Sequence, residues 1–565
     1  MYYTLVMSKL TKPAPKDPME PKRKRAAYYY QNGMITREVQ DLACEVSRVT
    51  DVSIDQILIS YGFISEHDQV VAESLEKNIS YIDLNEAPPS IEALKLLSKE
   101  MVLKYGILPY QCDKTTLTVA VDSTYVFRSL HTLEHMLMRN ISYIYAPKNQ
   151  IMEVFTRYYE QNYVSQKESL YAMVADHNAV EVIGLVDALI HIAIDMEASD
   201  IHIAPEDDVV HIFFRLDGVL QHYCSLPVEI KGQLVSRIKV VCELDIAQKR
   251  IAQDGSTTIN YEGRDYDMRI STMPTDMGES VVIRILTNTK ELFQLDQLNL
   301  SNDILARIKR LAKKPYGVIL LSGPTGSGKT TTLYAILREV NRLQKNILTI
   351  ENPIEYRIPF VNQTQYNPKA GYTYDKAIRA FMRQDPDIIL VGEIRDIDTA
   401  QIAMEASITG HLVLSTVHTN DAVGALIRLR GLKVPSFLLS EGMLAVIAQR
   451  LVRRLCPFCK QPRRYSKEEL LEYDINEKLI TQEYYDLFDA VGCDKCNNTG
   501  YHGRQAITEL FEVDSNIKMM IFEEVSTVEL SKYIISQGMV TLQEDMFNKI
   551  IAGSSTLEEY ERVIL

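Results

Sequence analysis

The sequence predicts an α/β protein of several domains, the largest of which carries a mostly parallel β-sheet. From about residue 300, apolar segments typical of buried strands alternate with helical patterns, as in parallel sheets covered by helices. The strand segments are YGVILLSG, NILTIE, DIILVGE and GHLVLSTVH. At 565 residues the chain is too long for one ordinary domain, since single cores stop growing at about 250–300 residues.

Composition and periodicity divide the chain into five segments. They are an arm at 1–30, a first α+β domain at 31–150, a linker helix at 151–178, a second α+β domain at 179–288 and the α/β domain at 289–565. The arm is rich in Pro and Lys without a regular period, which predicts a mobile, disordered segment. The Asp-Gly pairs at 217–218 and 254–255 predict turns between strands of the second domain. The basic run Lys22–Arg25 either contacts anionic lipid or an acidic partner, or belongs to a solvated tail.

The charge and the apolar runs argue against several classes of protein. A net charge of −14 argues against nucleic acid as the main partner, since phosphate neutralisation requires a basic surface. No apolar run reaches the roughly 18–20 residues that cross a bilayer, because Asp187, His191 and Asp195 interrupt the candidate at 182–196. The first residues lack a basic segment followed by a long apolar stretch, so they predict no secretory signal. We therefore expect a cytoplasmic chain that reaches a membrane only peripherally, through partners.

The segment GVILLSGPTGSGKTTTL predicts a nucleotide-binding loop. Its pattern Gly323-x4-Gly328-Lys329-Thr330 follows a buried strand and precedes a helix, as a phosphate loop requires. Backbone N–H groups and the helix N-terminus are expected to hold phosphate, with Lys329 on the β- and γ-phosphates and the Thr330 hydroxyl on Mg²⁺. The predicted nucleotide-binding residues are Gly323, Pro324, Thr325, Gly326, Ser327, Gly328, Lys329, Thr330 and Thr331.

Hydrolysis requires polar groups near the γ-phosphate, and three segments supply candidates. The apolar strand DIILV leads to Glu393, which is expected at the carboxyl edge of the sheet, where it orients or deprotonates water. TIENPIEY offers Glu351 and Glu355, while His411 opens and His418 ends the strand in HLVLSTVH. Each residue alone is equally well an ordinary polar strand end. Three such ends beside one phosphate loop favour a hydrolytic site.

Two pairs of cysteines predict a structural zinc site. The sequences CPFC and CDKC place Cys456 with Cys459 and Cys493 with Cys496. Four thiolates in two C-x2-C pairs suit tetrahedral Zn²⁺ with no open position, and a disulfide is not expected in a cytosolic chain. We expect the metal to fold an insertion at 454–505 within the α/β domain.

Several longer segments carry further motifs, namely TIENPIEY, MRQDPDIILVGEIRDIDTAQIAMEASITGHLVLSTVHTNDA and IAQRLVRRLC. They resemble the Asp box, Walker B and His box of one protein family, the secretion ATPases that power type II secretion and type IV pilus assembly. The resemblance extends over residues 180–565 through ASDIHIAPE, FRLDGVL, DMRISTMPTDMGESVVIRIL and CNNTGYHGRQAITELFEV. It implies a RecA-like motor domain that ends in helices at 515–565, preceded by a PAS-like domain at 179–288.

The resemblance also implies roles for individual residues. It assigns catalytic positions to Glu393, Glu351, Glu355, His418, His411, Arg269 and Arg284. The two arginines are expected to approach the phosphates from the PAS-like domain and to neutralise charge on the transferring phosphoryl group. The alternative is that both are surface arginines in ion pairs. Asn352 stands where the family usually has Asp, and this departure shifts the base chemistry towards Glu393.

As a member of that family, the chain is expected to form a homo-hexamer that hydrolyses Mg-ATP and extends a type IV pilus. An integral inner-membrane platform protein would extrude the pilin subunits. The tetracysteine insertion supports an assembly motor, since related retraction ATPases lack it. The first domain resembles a partner-docking domain, but it lacks the Arg-Leu-Gly segment with which some relatives bind a cyclic dinucleotide. The alternatives are a type II secretion ATPase, a nucleotide-binding scaffold with little hydrolysis, and a nucleic-acid translocase.

Overall fold

The computed structural model divides the chain into two compact units, Met1–Ser165 and Gln166–Leu565. It describes residues 20–77, 79–84, 87–122, 131–155, 158–159, 170, 179–261, 264–287, 294–340 and 342–564. The linker helix expected at 151–178 lies mostly outside these residues, as does the arm before Glu20. Within the described ranges, no helix is long and apolar enough to cross a membrane.

The first unit contains a small α+β domain, as the sequence predicts. Its elements are α1 (Glu20–Gln31), α2 (Arg37–Thr50), α3 (Ile54–Ser60), α4 (Glu66–Lys77), α5 (Ile91–Leu94), α6 (Lys99–Tyr105), β1 (Leu108–Cys112), β2 (Thr116–Val121), α7 (His131–Leu137), β3 (Asn140–Tyr145) and α8 (Lys148–Phe155). Strand β2 pairs antiparallel with β1 and parallel with β3. Leu117, Val119 and Val121 of β2 are fully buried, so this central strand carries the core of the domain.

Residues 20–30, expected to belong to a mobile arm, lie in helix α1 (Glu20–Gln31) instead. Tyr29 is fully buried, and its hydroxyl donates to Asp55 Oδ1 at 2.6 Å. Arg25 Nε donates to the same oxygen at 2.9 Å. Arg25 of the basic run therefore pairs with a carboxylate of its own domain. The composition of the arm did not reveal this contact, because the partner lies 30 residues further along the chain.

The second unit begins with the second α+β domain. Its elements are α9 (Ala179–Asp195), β4 (Asp200–Pro205), β5 (Val209–Leu216), β6 (Val219–Pro227), α10 (Lys231–Val241), β7 (Gln253–Tyr261), β8 (Arg264–Thr275) and β9 (Gly278–Thr287). The strands form one antiparallel sheet in the order β6-β5-β4-β9-β8-β7. Ile212 and Phe214 of β5 pack in one core with α9 and α10. Phe213 and Arg215 alternate onto the other face of the sheet.

One of the two predicted Asp-Gly turns is a turn, and the other prediction is wrong. Asp217 and Gly218 have φ values of 47° and 84° and join β5 to β6. Asp254 and Gly255 instead lie inside β7. A Cβ atom on Gly255 would lie 2.9 Å from Leu244 Cδ2. This glycine therefore allows a close approach to a neighbouring side chain, a second common reason for glycine within a strand.

The α/β domain follows. Its elements are α11 (Asn302–Ala312), β10 (Gly317–Ser322), α12 (Lys329–Glu339), β11 (Ile347–Glu351), β12 (Asn362–Gln365), α13 (Tyr374–Phe381), β13 (Ile388–Val391), α14 (Ile397–Ile408), β14 (Leu412–Val417), α15 (Ala422–Gly431), α16 (Ser436–Gly442), β15 (Met443–Leu455), β16 (Gln461–Ser466), α17 (Lys467–Glu472), β17 (Tyr484–Asp489), β18 (Tyr501–Glu512), α18 (Ser515–Phe522), α19 (Thr527–Ser536), α20 (Leu542–Ile551) and α21 (Leu557–Ile564). The four strands expected from the sequence are β10, β11, β13 and β14.

The main sheet of this domain has seven strands in the order β12-β11-β13-β14-β10-β15-β18. All neighbours are parallel except β15 and β18, which are antiparallel. Val318 and Leu320 of β10 belong to the core on one face of the sheet, and Ile319 and Leu321 to the core on the other. A continuous apolar run is what a strand covered on both faces requires. The carboxyl ends of β10, β11, β13 and β14 therefore meet at one edge.

Candidate active site

The loop after β10 has the shape of a phosphate-binding loop. Residues 323–328 join β10 to the N-terminus of α12, and Gly323 and Gly328 have φ values of 146° and 83°. A Cβ atom on Gly323 would fall against the carbonyl oxygen of Gln449, and one on Gly328 would lie 2.7 Å from Gln449 Nε2. The loop thus packs so closely on β15 that only glycine fits at these two positions.

Gln449 of β15 packs against this loop and supports it through hydrogen bonds, a role that the sequence reasoning missed. Its side chain is buried, and its Nε2 donates to the carbonyl of Ser327 at 2.8 Å. Its Oε1 accepts from Thr332 Oγ1 of α12 at 2.8 Å. The available signal was a single amide after the apolar run MLAVIA at the start of β15. A buried side-chain amide is stable where both its oxygen and its nitrogen have hydrogen-bond partners, as they do in Gln449.

Lys329 is the first residue of α12, and its side chain reaches back to the start of the loop. Its Nζ donates to the carbonyls of Gly323 and Pro324 at 2.7 and 2.9 Å. Burial lowers the pKa of Lys329 to about 8, and the negative charge of Glu393 acts in the opposite direction. Thr330 is exposed beside it at the start of α12. A cationic side chain and the open N–H groups of a helix N-terminus form a binding site for phosphate.

Glu393 and His418 lie at the same edge of the sheet. Glu393 follows β13 with 12% of its side chain exposed, and its Oε2 lies 2.7 Å from Arg395 Nε. His418 follows the neighbouring strand β14, and its Nε2 lies 3.7 Å from the same carboxylate oxygen. Burial lowers the pKa of His418, the charge of Lys329 lowers it further, and Glu393 opposes both. The structure therefore brings the phosphate-loop lysine, this carboxylate and this imidazole together.

The two glutamates of the Asp box lie in different environments. Glu351 is only 3% exposed, and its carboxylate accepts from the hydroxyls of Tyr334 and Thr349 and from Gln363 Nε2. These bonds tie β11 to helix α12, so Glu351 supports the fold around the loop. Glu355 lies at the surface, where its Oε2 is 3.5 Å from Arg269 Nη2 of the second α+β domain.

The two predicted arginines are cross-strand neighbours, Arg269 on β8 and Arg284 on β9. Arg284 Nε donates to Asp200 Oδ1 at 2.9 Å. The other oxygen of this carboxylate, Asp200 Oδ2, lies 3.5 Å from Nε of Arg215 on β5. Arg215 is therefore a third arginine beside the two predicted ones. The sequence reasoning had no signal for Arg215 beyond its place in the segment FRLDGVL.

His411 lies at the opposite edge of the sheet from the phosphate loop. Its carbonyl accepts from Gly317 N at 3.2 Å, at the amino end of β10. Its Nδ1 lies 2.8 Å from the carbonyl of Ala406 near the end of α14. His418 lies seven residues further along the chain, beyond the six residues of β14, and is therefore about 23 Å away at ~3.3 Å per residue. The expectation that both histidines serve one site is wrong for His411 in this chain, because a strand carries its two ends to opposite edges.

The four cysteines of the two C-x2-C pairs meet in one cluster. Their sulfur atoms all lie within 4.8 Å of one another. The Cys456–Cys493, Cys459–Cys496 and Cys493–Cys496 distances are 3.9, 3.8 and 3.7 Å. Four sulfurs at about 2.3 Å from a tetrahedral zinc ion are about 3.8 Å apart, so the cluster fits this metal. The cluster closes the base of an excursion that contains the antiparallel hairpin of β16 and β17.

Comparison with known proteins identifies the family. Residues 175–562 match the family model described as type II/IV secretion system protein. The chain belongs to this family. Residues 78–162 match a second model, the MshEN domain. The matches confirm the family expected from the sequence, and with the parallel sheet they confirm the predicted fold class.

Individual relatives come from both branches of the family. The chain is 45% identical over 382 residues to the type II secretion system ATPase E of Vibrio cholerae, a match that covers 68% of this chain and 75% of that protein. It is 34% identical over 537 residues to the type IV pilus assembly ATPase PilB of Myxococcus xanthus, covering 92% and 94%. The match to PilB of Thermus thermophilus, 36% identical over 522 residues, covers 90% of this chain but 58% of that protein. The family is therefore one of secretion and pilus assembly ATPases.

Gln449→Ala tests the support beneath the phosphate loop. We expect this variant to weaken nucleotide binding by up to about 30-fold, because two buried hydrogen bonds of roughly 1 kcal/mol each are lost and about 1.4 kcal/mol corresponds to tenfold. Titration with a fluorescent nucleotide measures the effect. Gln505→Ala is the matched control, since Gln505 is also buried but donates to Ser554 Oγ at 3.0 Å, outside the loop. Equal weakening in both variants would show that Gln449 has no specific effect on the loop.

Cys456→Ser tests the metal cluster. We expect the purified wild-type chain to contain about one zinc ion and the variant to lose most of it, since one of four ligands is removed. Elemental analysis measures the zinc, and Tm should fall by several degrees because metal binding stabilises the fold. Cys112→Ser, at the end of β1 in the other unit, should keep the full zinc content. A wild-type chain that contains no zinc, together with a Cys456→Ser variant whose Tm equals that of the wild type, would contradict a structural zinc site.

Proposed function

We propose that the chain is a Mg²⁺-dependent ATPase whose hydrolysis drives assembly of a type IV pilus. The observation that supports the enzymatic part is the meeting of the phosphate loop, Glu393 and His418 at one edge of the sheet. Lys329 and the N–H groups that open α12 bind the phosphates of ATP, and the Thr330 hydroxyl binds Mg²⁺. Membership of a family of secretion ATPases supports the same assignment.

In this proposal Glu393 orients or deprotonates the attacking water. Its side chain lies at the carboxyl end of β13, the edge at which parallel α/β sheets bind their ligands. His418, with its lowered pKa, is a neutral imidazole at pH 7 and hydrogen-bonds near the γ-phosphate without repelling Lys329. Glu351 and His411 take no part in the chemistry. Glu351 is engaged in buried hydrogen bonds, and His411 lies at the edge of the sheet opposite to the phosphate loop.

We infer that the site is completed by a neighbouring copy of the chain. The side chains of Arg269 and Arg284 are 39% and 61% exposed, so a nucleotide bound to another copy can reach them. Guanidinium groups neutralise charge on a transferring phosphoryl group, and a supply from a second copy couples hydrolysis to assembly. Head-to-tail contacts whose rotation closes generate a ring. The ring proposed here is a homo-hexamer.

The work of the ring is assigned to pilus assembly on the extent of similarity. The match to PilB of Myxococcus xanthus covers 92% of this chain and 94% of that protein, and therefore includes the N-terminal unit. We propose that the ring acts on an integral inner-membrane platform protein that extrudes pilin subunits. The chain itself is cytoplasmic and is held at the membrane by partners. Nucleic acid has no part in this function.

Type II secretion is the second candidate. The identity of 45% to the type II secretion system ATPase E of Vibrio cholerae is higher, although that match covers only 68% of this chain. In that case the same motor drives a pseudopilus and protein export. The chemistry at Glu393 is unchanged, because the two functions differ in the partner and not in the nucleotide site.

Glu393→Gln tests the ATPase. We expect hydrolysis to fall at least about a hundredfold, since a general base contributes roughly 10²–10⁴-fold. Steady-state Mg-ATP hydrolysis should be measured over a range of protein concentrations, and the specific activity of the wild type should rise with concentration as copies complete each other's sites. Glu405→Gln makes the same charge change on α14 and should retain activity. ATP hydrolysis by the Glu393→Gln variant at the rate of the wild type would refute the role of this residue.

The same pair of variants separates the two candidate functions in the cell that makes this protein. Replacement of the gene by the Glu393→Gln allele should abolish surface pili and leave the extracellular proteins unchanged, while Glu405→Gln should preserve both. Electron microscopy and analysis of the culture medium measure the two outputs. Loss of extracellular proteins with pili intact would assign the chain to type II secretion.

A further inference from the structure

The segment His418–Asp421, here called the His418 loop, contacts the end of β10, the strand that leads into the phosphate loop. It joins β14 to α15 and carries the imidazole that lies beside Glu393. The hydroxyl of Ser322, the last residue of β10, contacts the hydroxyl of Thr419 and lies 3.2 and 3.3 Å from the carbonyl oxygens of Thr419 and Asp421. These bonds fix one side of the loop. Two further bridges fix the opposite side, and neither belongs to the nucleotide site.

Glu509 of β18 forms the first bridge. Its carboxylate is buried, and Oε1 accepts from the backbone N–H of Ala422, the first residue of α15, at 2.6 Å. Its Oε2 accepts from the N–H of Leu542, the first residue of α20, at 3.2 Å. The N-termini of two helices therefore point at one carboxylate, and their partial positive charges stabilise its negative charge. Burial raises the pKa of Glu509, the charge of Asp421 adds to this shift, and the two N–H bonds and the charge of Arg450 oppose it.

Arg450 of β15 forms the second bridge. Its Nη2 donates to the carbonyl of Asn420 within the His418 loop at 3.3 Å. Its Nη1 donates to the carbonyl of Val563 near the end of α21. One guanidinium thus spans the distance between the loop and the last helix. A planar fork of donors suits such a bridge, because its two terminal nitrogens each bond a different carbonyl.

The helices at the far end of these bridges are themselves held by the tetracysteine excursion. The turn between α20 and α21 receives two hydrogen bonds from its base. Lys460 Nζ donates to the carbonyl of Gly553 at 2.8 Å, and Leu455 N donates to that of Ser554 at 2.9 Å. Helices α20 and α21 are therefore a fixed support and not a frayed end. A loop fastened to a fixed support keeps its side chains in one place.

We infer that Glu509 and Arg450 are positioning residues that hold His418 beside Glu393 by fastening its loop to α20 and α21. This inference rests on the ATPase activity proposed above. The described hydrogen bonds of Glu509 and Arg450 do not involve residues 323–331. We therefore expect nucleotide binding to be retained when the His418 loop is released. The expected consequence is a loss of kcat without a loss of affinity for ATP.

Glu509→Gln is the direct test, and Asp545→Asn is its matched control. Glutamine keeps the size of the side chain but replaces one acceptor by an amide N–H, which then faces a backbone N–H. Asp545 of α20 is also buried and accepts from the N–H of Thr508 at 2.8 Å, next to Glu509 on β18. Its described bonds do not include the His418 loop. Both variants therefore weaken the same packing, but only one releases the loop.

The measurements are kcat for Mg-ATP hydrolysis and Kd for ATP on the full-length chain. For Glu509→Gln we expect kcat to fall about tenfold or more with Kd within about twofold of the wild type, since a small misplacement of a catalytic group slows chemistry and not binding. Asp545→Asn should keep kcat within about twofold, even where its Tm is lower. Hydrogen exchange at the Ala422 amide should accelerate in Glu509→Gln only.

Three outcomes would overturn the inference. An unchanged kcat in Glu509→Gln, with an active wild type, refutes it and leaves the ATPase intact. An equal loss of kcat in both variants shows that general packing and not the loop is responsible. A wild-type chain that does not hydrolyse ATP at any concentration refutes the proposed function and the inference together. If Glu509→Gln does not fold, Arg450→Lys makes the same test, because one Nζ atom replaces two nitrogens that each bond a different carbonyl.

Discussion

The path of strand β15 is the constraint on which the rest of the α/β domain depends. It has 13 residues, against six in the neighbouring β10. Its first half pairs with β10, and its second half runs on beyond β10, paired with β18, to the edge of the tetracysteine cluster. Along this one strand, Gln449 supports the phosphate loop, Arg450 binds the His418 loop and Arg453 pairs with Glu559 of α21. A paired strand is rigid, so these three contacts keep a fixed spacing.

Carboxylates of the same chemical type have different tasks because their surroundings differ. Glu351 and Glu509 are buried, and hydrogen bonds from side chains or from helix N-termini engage both. A buried carboxylate whose oxygens are engaged contributes to structure, since breaking its bonds leaves unpaired polar groups. Glu393 is different, because it lies at the strand edge between Arg395 and His418 with part of its side chain exposed. Accessibility, and not residue type, separates the candidate base from the supporting acids.

The second α+β domain contacts the α/β domain through polar groups that are easily separated. Arg269 lies 3.5 Å from Glu355, and both side chains are more than a third exposed. At the tip of the β5–β6 hairpin, Asp217 Oδ2 accepts from the N–H of Gly503 at the start of β18, at 3.0 Å. Exposed ion pairs contribute about 0–1 kcal/mol, so such contacts are weak. Weak contacts of this kind suit the proposed motor, in which the two domains move against each other.

The sequence by itself determined the α/β class, the phosphate loop, the family and the four cysteines. These features depend on local order: strand and helix periods, glycine spacing and short ligand motifs are visible in consecutive residues. The tertiary structure alone decided that residues 20–31 are helical, that Gly255 lies within a strand and that His411 is separated from His418. It also revealed Gln449, Arg215 and Glu509, whose partners lie up to 122 residues away along the chain. Such contacts are fixed by strand order and packing, and no local pattern of residues specifies them.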